Sequence, residues 1–99
     1  MYVWMRTYSA KIGKMAEAVA LTTEAAAHAK KKHKLEIEIY TQVGGDPMKI
    51  GIAGRYESLG DLGKMEEAIA ADEQWTAIVN RAAPLLEEGT VEDNFWKKH

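Results

Sequence analysis

Apolar and polar positions alternate with period two at the start of this chain. Within residues 2–8, Val3, Met5 and Thr7 fall on one side and Tyr2, Trp4, Arg6 and Tyr8 on the other, the pattern of a β-strand. After Gly13 the period changes. Lys14 to Lys32 contains neither glycine nor proline, alanine recurs throughout, and Met15, Ala18, Val19, Thr22, Ala26 and Ala29 recur at helical spacing. The small residues of that stripe predict a helix lying close against a sheet. The run Lys30-Lys31-Lys32-His33-Lys34 closes it, where cations complement the negative end of the helix dipole.

Alternation returns in residues 35–43, with Leu35, Ile37, Ile39, Thr41 and Val43 set against Glu36, Glu38, Tyr40 and Gln42. Gly44-Gly45-Asp46-Pro47 is turn chemistry. The following strand, 48–56, places Met48, Ile50, Ile52, Gly54 and Tyr56 on one face and Lys49, Gly51, Ala53 and Arg55 on the other, so the two strands form a hairpin. Gly51 and Gly54 within it suggest a bulge or a close backbone approach. Ser58 is a helix N-cap before the stripe Leu59, Leu62, Met65 and Ile69. A break is expected at Ala71-Asp72, then a second stripe of Trp75, Ile78, Val79 and Ala82, stopped or kinked at Pro84. Trp75 on that stripe reads as core. A last strand, Thr90 to Trp96, sets Val91, Asp93 and Phe95 against Glu92, Asn94 and Trp96. The order β-α-β-β-α-β predicts a single ferredoxin-like α+β domain over residues 1–99, with a four-stranded antiparallel sheet.

In such a domain the helices cover one sheet face. The aliphatic sides of the second and third strands, together with Val3 and Met5, are the expected helix side. The other side then carries Trp4, Arg6, Tyr8, Glu38, Tyr40 and Arg55, which is too aromatic for bare water and too charged for a dry core. Two readings follow: a solvated face of cross-strand pairs, or two such sheets closing a barrel around a pocket.

Composition narrows the chemistry. At 99 residues the core is small, and a partner subunit would help. A net charge of −2 provides no basic field for nucleic acid. The absence of cysteine removes disulfides, thiolate nucleophiles and sulfur-bound metals together. No apolar run is long enough for a membrane span, and the first strand, interrupted by Arg6, reads as a strand rather than a signal peptide. A cytoplasmic protein is expected, with neither membrane nor nucleic acid as partner. His28 and His33, five positions apart on one helix, point about 140° from each other, so no metal site is expected from them. No glycine-rich phosphate loop is present, and Ser9 and Ser58 have turn and cap roles.

Two segments carry a resemblance. W-M-R-T-Y-S-A-K-I-G-K at 4–14 is similar to the E-L-R-T-Y-x-x-K-P-G-K that opens NIPSNAP-like proteins. R-Y-E-S-L at 55–59 and A-A-D-E-Q-W at 70–75 resemble their R-Y-x-S-L and A-x-D-P-x-W. Ile12 and Glu73 depart from the two prolines, and Gly54 stands where these proteins commonly carry tryptophan, which would enlarge a pocket or weaken the strand. The resemblance implies a dimeric α+β barrel, in which two ferredoxin-like chains pair their sheets, and it implies no defined activity. The same superfamily contains cofactor-independent monooxygenases and haem-degrading enzymes. The haem-degrading type looks to an asparagine on its first strand, where this chain has Trp4 and Arg6, so no cofactor is expected.

The resulting expectation is a homodimer binding or processing a small aromatic or acidic metabolite. Arg6 and Arg55 would hold a carboxylate or enolate, Trp4, Tyr8 and Tyr40 would line the pocket, and Glu38 would orient the ligand or act as a base. Against the base stands an ion pair of Glu38 with Arg6 or Arg55. Trp96 on the last strand is expected at the dimer interface. The alternatives are a non-catalytic interaction module whose barrel is filled by its own side chains, and a cofactor-independent monooxygenase.

Overall fold

A computed structural model describes all residues from Met1 to His99. Its elements are β1 (Tyr2–Ser9), α1 (Met15–His33), β2 (Ile37–Thr41), β3 (Lys49–Tyr56), α2 (Leu59–Ala70), α3 (Glu73–Ala82), a 3-10 turn (Ala83–Leu85) and β4 (Glu92–Lys97). The four strands form one antiparallel sheet in the order β2-β3-β1-β4. This is the ferredoxin-like α+β arrangement, with the second helical segment divided in two. No helix is long and apolar enough to cross a membrane.

The division falls at Ala71-Asp72 because each half is capped from its own sequence. Ser58 accepts a hydrogen bond from the Asp61 N–H at the start of α2, and Asp72 accepts from the N–H groups of Gln74 and Trp75 at the start of α3. The end of α1 is made differently. Lys34 adopts a left-handed φ of 57°, which turns the chain into β2 at a cost that glycine would avoid.

The register corrects one expectation from the sequence. Trp4 lies opposite Gly54, Arg6 opposite Ile52 and Tyr8 opposite Ile50. Because Ile50 and Ile52 face the helices, so do Trp4, Arg6 and Tyr8, while Val3, Met5 and Thr7 lie on the uncovered side. Trp4 is 3% exposed and packs with Ala29, Leu35, Ile52, Tyr56, Leu62 and Trp75. Tyr8 joins Ala10, Ala18 and Ile50 in a second buried group. Size decides between the two sides of β1: a Trp and two Tyr offer far more apolar area than Val, Met and Thr, at roughly 25 cal/mol per Å² buried.

Gly54 fits the same logic. A Cβ there would sit 3.4 Å from the Trp4 ring, 3.4 Å from the Tyr56 hydroxyl and 3.6 Å from Leu35. The missing side chain therefore makes room for Trp4 rather than enlarging a pocket. The close helix is also accounted for, since the buried positions of α1 are Ala18, Thr22 and Ala29.

Candidate functional site

Between the sheet and the pair α1/α3 lies a cavity of about 620 Å³. Arg6, Tyr8 and Ile52 form its sheet side, Leu21, Thr22 and Ala25 its α1 side, and Trp75, Ile78, Val79 and Ala82 its α3 side. The volume falls within the range of small-molecule sites, about 300–1,000 Å³. Thr22 and Ala25 keep part of the α1 wall shallow, and Trp75 packs with Trp4 in the core while also facing the cavity. Lys11, Glu87, Glu88 and Val91 complete the rim. That rim is fixed to β1: the Lys11 N–H donates to the Leu85 carbonyl (2.8 Å), the Glu87 N–H to Ser9 (2.8 Å), and the Ser9 N–H to the Thr90 hydroxyl (3.1 Å).

Two polar groups of β1 reach this space. The Tyr8 hydroxyl hydrogen-bonds the Thr22 hydroxyl, which itself donates to the Ala18 carbonyl at 2.9 Å. Thr22 has a single proton and gives it to the backbone, so Tyr8 is the donor of the pair. Burial pushes the Tyr8 phenol up, against the opposing effects of Thr22 and Arg6. It is therefore a neutral group at the cavity wall.

Arg6 is gripped from β4. Its Nε and Nη2 donate to the two carboxylate oxygens of Asp93 at 2.7 and 3.0 Å, a bidentate fork, and its guanidinium carbon lies 5.4 Å from the Trp4 ring centroid. Trp4 Nε1 reaches the same carboxylate at 3.4 Å. The fork holds the Arg6 pKa above its ordinary value and that of Asp93 below. Nη1 takes no part in the fork. An arginine in a mostly apolar wall is tolerable for this reason: its stem packs and its head is paired.

The expected site residues divide between the two faces of the sheet. Arg6 and Tyr8 line the cavity. Trp4, expected to line the pocket, does not; it is core. Glu38, Tyr40 and Arg55 lie on the uncovered face, joined to one another. Arg55 Nε donates to Glu38 Oε1 at 2.9 Å and the Tyr40 hydroxyl to Glu38 Oε2 at 2.9 Å. The Arg55 hydrogen bond, then that from Tyr40, holds the Glu38 carboxyl below its ordinary range. A general base for neutral pH needs the opposite shift, so Glu38 is the acid of an ion pair with Arg55. Trp96, 61% exposed, shares that face.

A further cluster lies behind Trp75. His28 Nε2 and His33 Nε2 each lie 2.7 Å from Asp72 Oδ2, and Lys32 Nζ lies 3.2 Å from Oδ1. Burial alone would push the Asp72 carboxyl up, but the hydrogen bonds from His28, His33, Trp75 and Lys32 outweigh it and hold the group well below the usual carboxylate range. The helical angle between the two histidines did not anticipate this. That angle is measured at Cβ, whereas imidazoles reach several ångströms further and bend toward a carboxylate placed between them. The legible signal was Asp72 itself, an N-cap residue just ahead of a new apolar stripe.

The NIPSNAP sequence pattern matches residues 2–93. The chain belongs to the NIPSNAP family. Among solved structures it is similar to an uncharacterised NIPSNAP domain protein from Burkholderia xenovorans, with 26% identity, a TM-score of 0.83, and 100% of this chain and 95% of that one covered. A NIPSNAP family protein from Agrobacterium tumefaciens shares 23% identity with a TM-score of 0.80, covering 99% and 92%. A proposed antibiotic biosynthesis monooxygenase from Deinococcus radiodurans superposes with a TM-score of 0.76 at 14% identity, covering 100% and 93%, a likeness of fold. No curated protein matches the chain. The NIPSNAP match spans both segments that suggested the family, including Gly54 with its covering Trp4.

Proposed function

We propose that this NIPSNAP protein binds a small, largely apolar or aromatic metabolite carrying an acidic or enolic oxygen, in the cavity between its sheet and α1/α3. The observation that carries the reading is the cavity itself: an apolar wall of binding-site size into which Arg6 and Tyr8 project. Arg6, with Nη1 uncommitted, supplies a positive donor, while the neutral Tyr8 phenol supplies a second polar contact. Ile52, Ile78 and Val79 supply the apolar surface. A pocket with a few convergent polar groups in an apolar lining is the usual form of a small-molecule site. The groups named here account for binding rather than for a chemical step.

The uncovered sheet face supports the second part of the proposal, a homodimer. Val3, Met5 and Thr7 have no helix over them, and Tyr40 (46% exposed) and Trp96 (61% exposed) stand among them. Two copies paired through this face would bury those groups, with Trp96 as an aromatic anchor and the Glu38–Arg55 pair at or near the interface.

A fluorescence titration with 1-naphthol and 1-naphthoate tests the cavity. Wild-type protein should bind both, the anion more tightly. Val79→Trp, which fills the space from the half-exposed side, should abolish both, and Arg6→Gln should remove only the preference for the anion. Equal binding by wild type and V79W sinks the cavity reading. Sedimentation equilibrium tests the dimer separately, with a monomer at all concentrations as the adverse result.

A further inference from the structure

We propose that His28, His33 and Asp72 form a binding site for a borderline divalent transition ion such as Zn²⁺, closing the C-terminal end of α1 onto the start of α3. The donor atoms, Nε2 of each histidine and one carboxylate oxygen, lie within 4.8 Å of one another. They come from two helices rather than from a loop, so their positions are set by the packing of α1 against α3.

Distances support the assignment. Zn²⁺ takes imidazole nitrogen and carboxylate oxygen at about 2.0–2.2 Å, which separates tetrahedral ligand atoms by roughly 3.4 Å. Each histidine Nε2 now lies 2.7 Å from Asp72 Oδ2. Exchanging the two bridging N–H protons for one ion therefore asks each edge to open by about 0.7 Å. Rotation of the imidazole rings supplies that without moving a helix. Two nitrogens and one carboxylate oxygen suit a borderline ion and are a poor set for Mg²⁺ or Ca²⁺, which require oxygen ligands. One coordination position is left for water.

The surroundings orient the carboxylate as outer partners of metal ligands do. Asp72 Oδ1 is occupied by the N–H groups of Gln74 and Trp75 at 3.0 and 3.2 Å, so Oδ2 is directed at the histidines. The Asp72 side chain is 1% exposed and the histidines 15% and 10%, so the site is nearly closed to solvent. His33 is the last residue of α1, whose negative end favours a cation. Two features compete with the ion: the positive end of α3 and the Lys32 ammonium. Lys32 is the one that can leave, since its side chain is half exposed and its stem flexible.

This competition makes the site testable. Untagged, chelator-treated protein is titrated with Zn²⁺ against a chromophoric chelator, and with Co²⁺ by its visible d–d absorption. One equivalent should bind, the melting temperature should rise with Zn²⁺, and chelation should reverse both effects. His28→Gln or His33→Gln should weaken binding by at least the roughly 10–100-fold seen for loss of outer partners, and Lys32→Gln should tighten it. No saturable binding by wild type, or binding that survives the H28Q/H33Q double substitution, overturns the site. A K32Q protein that binds no better overturns its placement at Asp72. Should the histidine variants fail to fold, ring-¹⁵N spectra of the wild type decide. Zn²⁺ should move the Nε2 signals of His28 and His33, and a response confined to His99 overturns the assignment.

Discussion

The two faces of the sheet are built from the same alternation and have opposite fates. On the covered face Trp4, Tyr8, Ile50, Ile52 and Tyr56 are buried, and the charge of Arg6 is forked by Asp93 from the neighbouring strand and lies beside a ring. On the uncovered face the charges of Glu38 and Arg55 pair in the open, and the aromatics Tyr40 and Trp96 keep about half their surface in solvent. An aromatic residue on a strand is thus no guide to its role. Trp4 and Trp96 are the same residue on neighbouring strands; one holds the core, and the other contributes to it little or nothing.

The sharpest way to break the contrast is to truncate both tryptophans. Trp4→Ala should cost about 3–5 kcal/mol by urea unfolding, the range for a buried Trp or Phe. Trp96→Ala should leave the unfolding of the monomer nearly unchanged while weakening self-association. Equal losses from the two would erase the distinction drawn here.

Thr22→Val tests the polar seam of the covered face at nearly constant volume. It removes the acceptor of the buried Tyr8 hydroxyl and should cost about 1–3 kcal/mol.

A smaller effect, of opposite sign, is expected where the chain leaves α1 for β2. Lys34→Gly relieves a left-handed backbone and should stabilise by about 0.5–1 kcal/mol, read as a higher denaturation midpoint.

The ion pairs of the two faces should differ in their response to pH. The Asp93 pKa is lowered in the folded protein, so its pair with Arg6 contributes in full above the unfolded value of about 4 and is lost as pH falls through the folded value. Asp93→Asn should therefore flatten the acid limb of stability against pH below about 4. Glu38→Gln, on the open and solvent-screened face, should change stability within the error of the measurement. A steep effect there would show that the face is covered in solution.

Much of the fold was legible because local chemistry spells it. The changes of period mark every element, Ser58 caps α2, and Ala71-Asp72 ends it. The assignment of the faces of β2 and β3 also survives, because each has a clearly aliphatic side. β1 is the exception, with its aromatic side rather than its Val3/Met5 side against the helices. Both of its sides hold apolar residues, and Arg6 made the aromatic side look like the wet one. Glycine at 54 was the available clue, since a gap on the helix-facing side of β3 calls for a large neighbour across the ladder. Arg6 and Tyr8 therefore share no pocket with Glu38, Tyr40 and Arg55, because the sheet itself lies between them. The cavity could not be read at all, because no single segment contains it. Its residues come from β1, α1, β3, α3 and the rim before β4.

The sequence by itself determined the element order, the caps, the small-residue surface of α1 and the family, because these depend on neighbours within a few positions or on motifs read in order. Which face of β1 the helices cover, the meeting of His28 and His33 at Asp72, and the cavity beside Arg6 and Tyr8 were decided only in the tertiary structure. Each depends on competition between surfaces distant in sequence, and the larger buried area or the better-satisfied charge prevails only once the layers have come together.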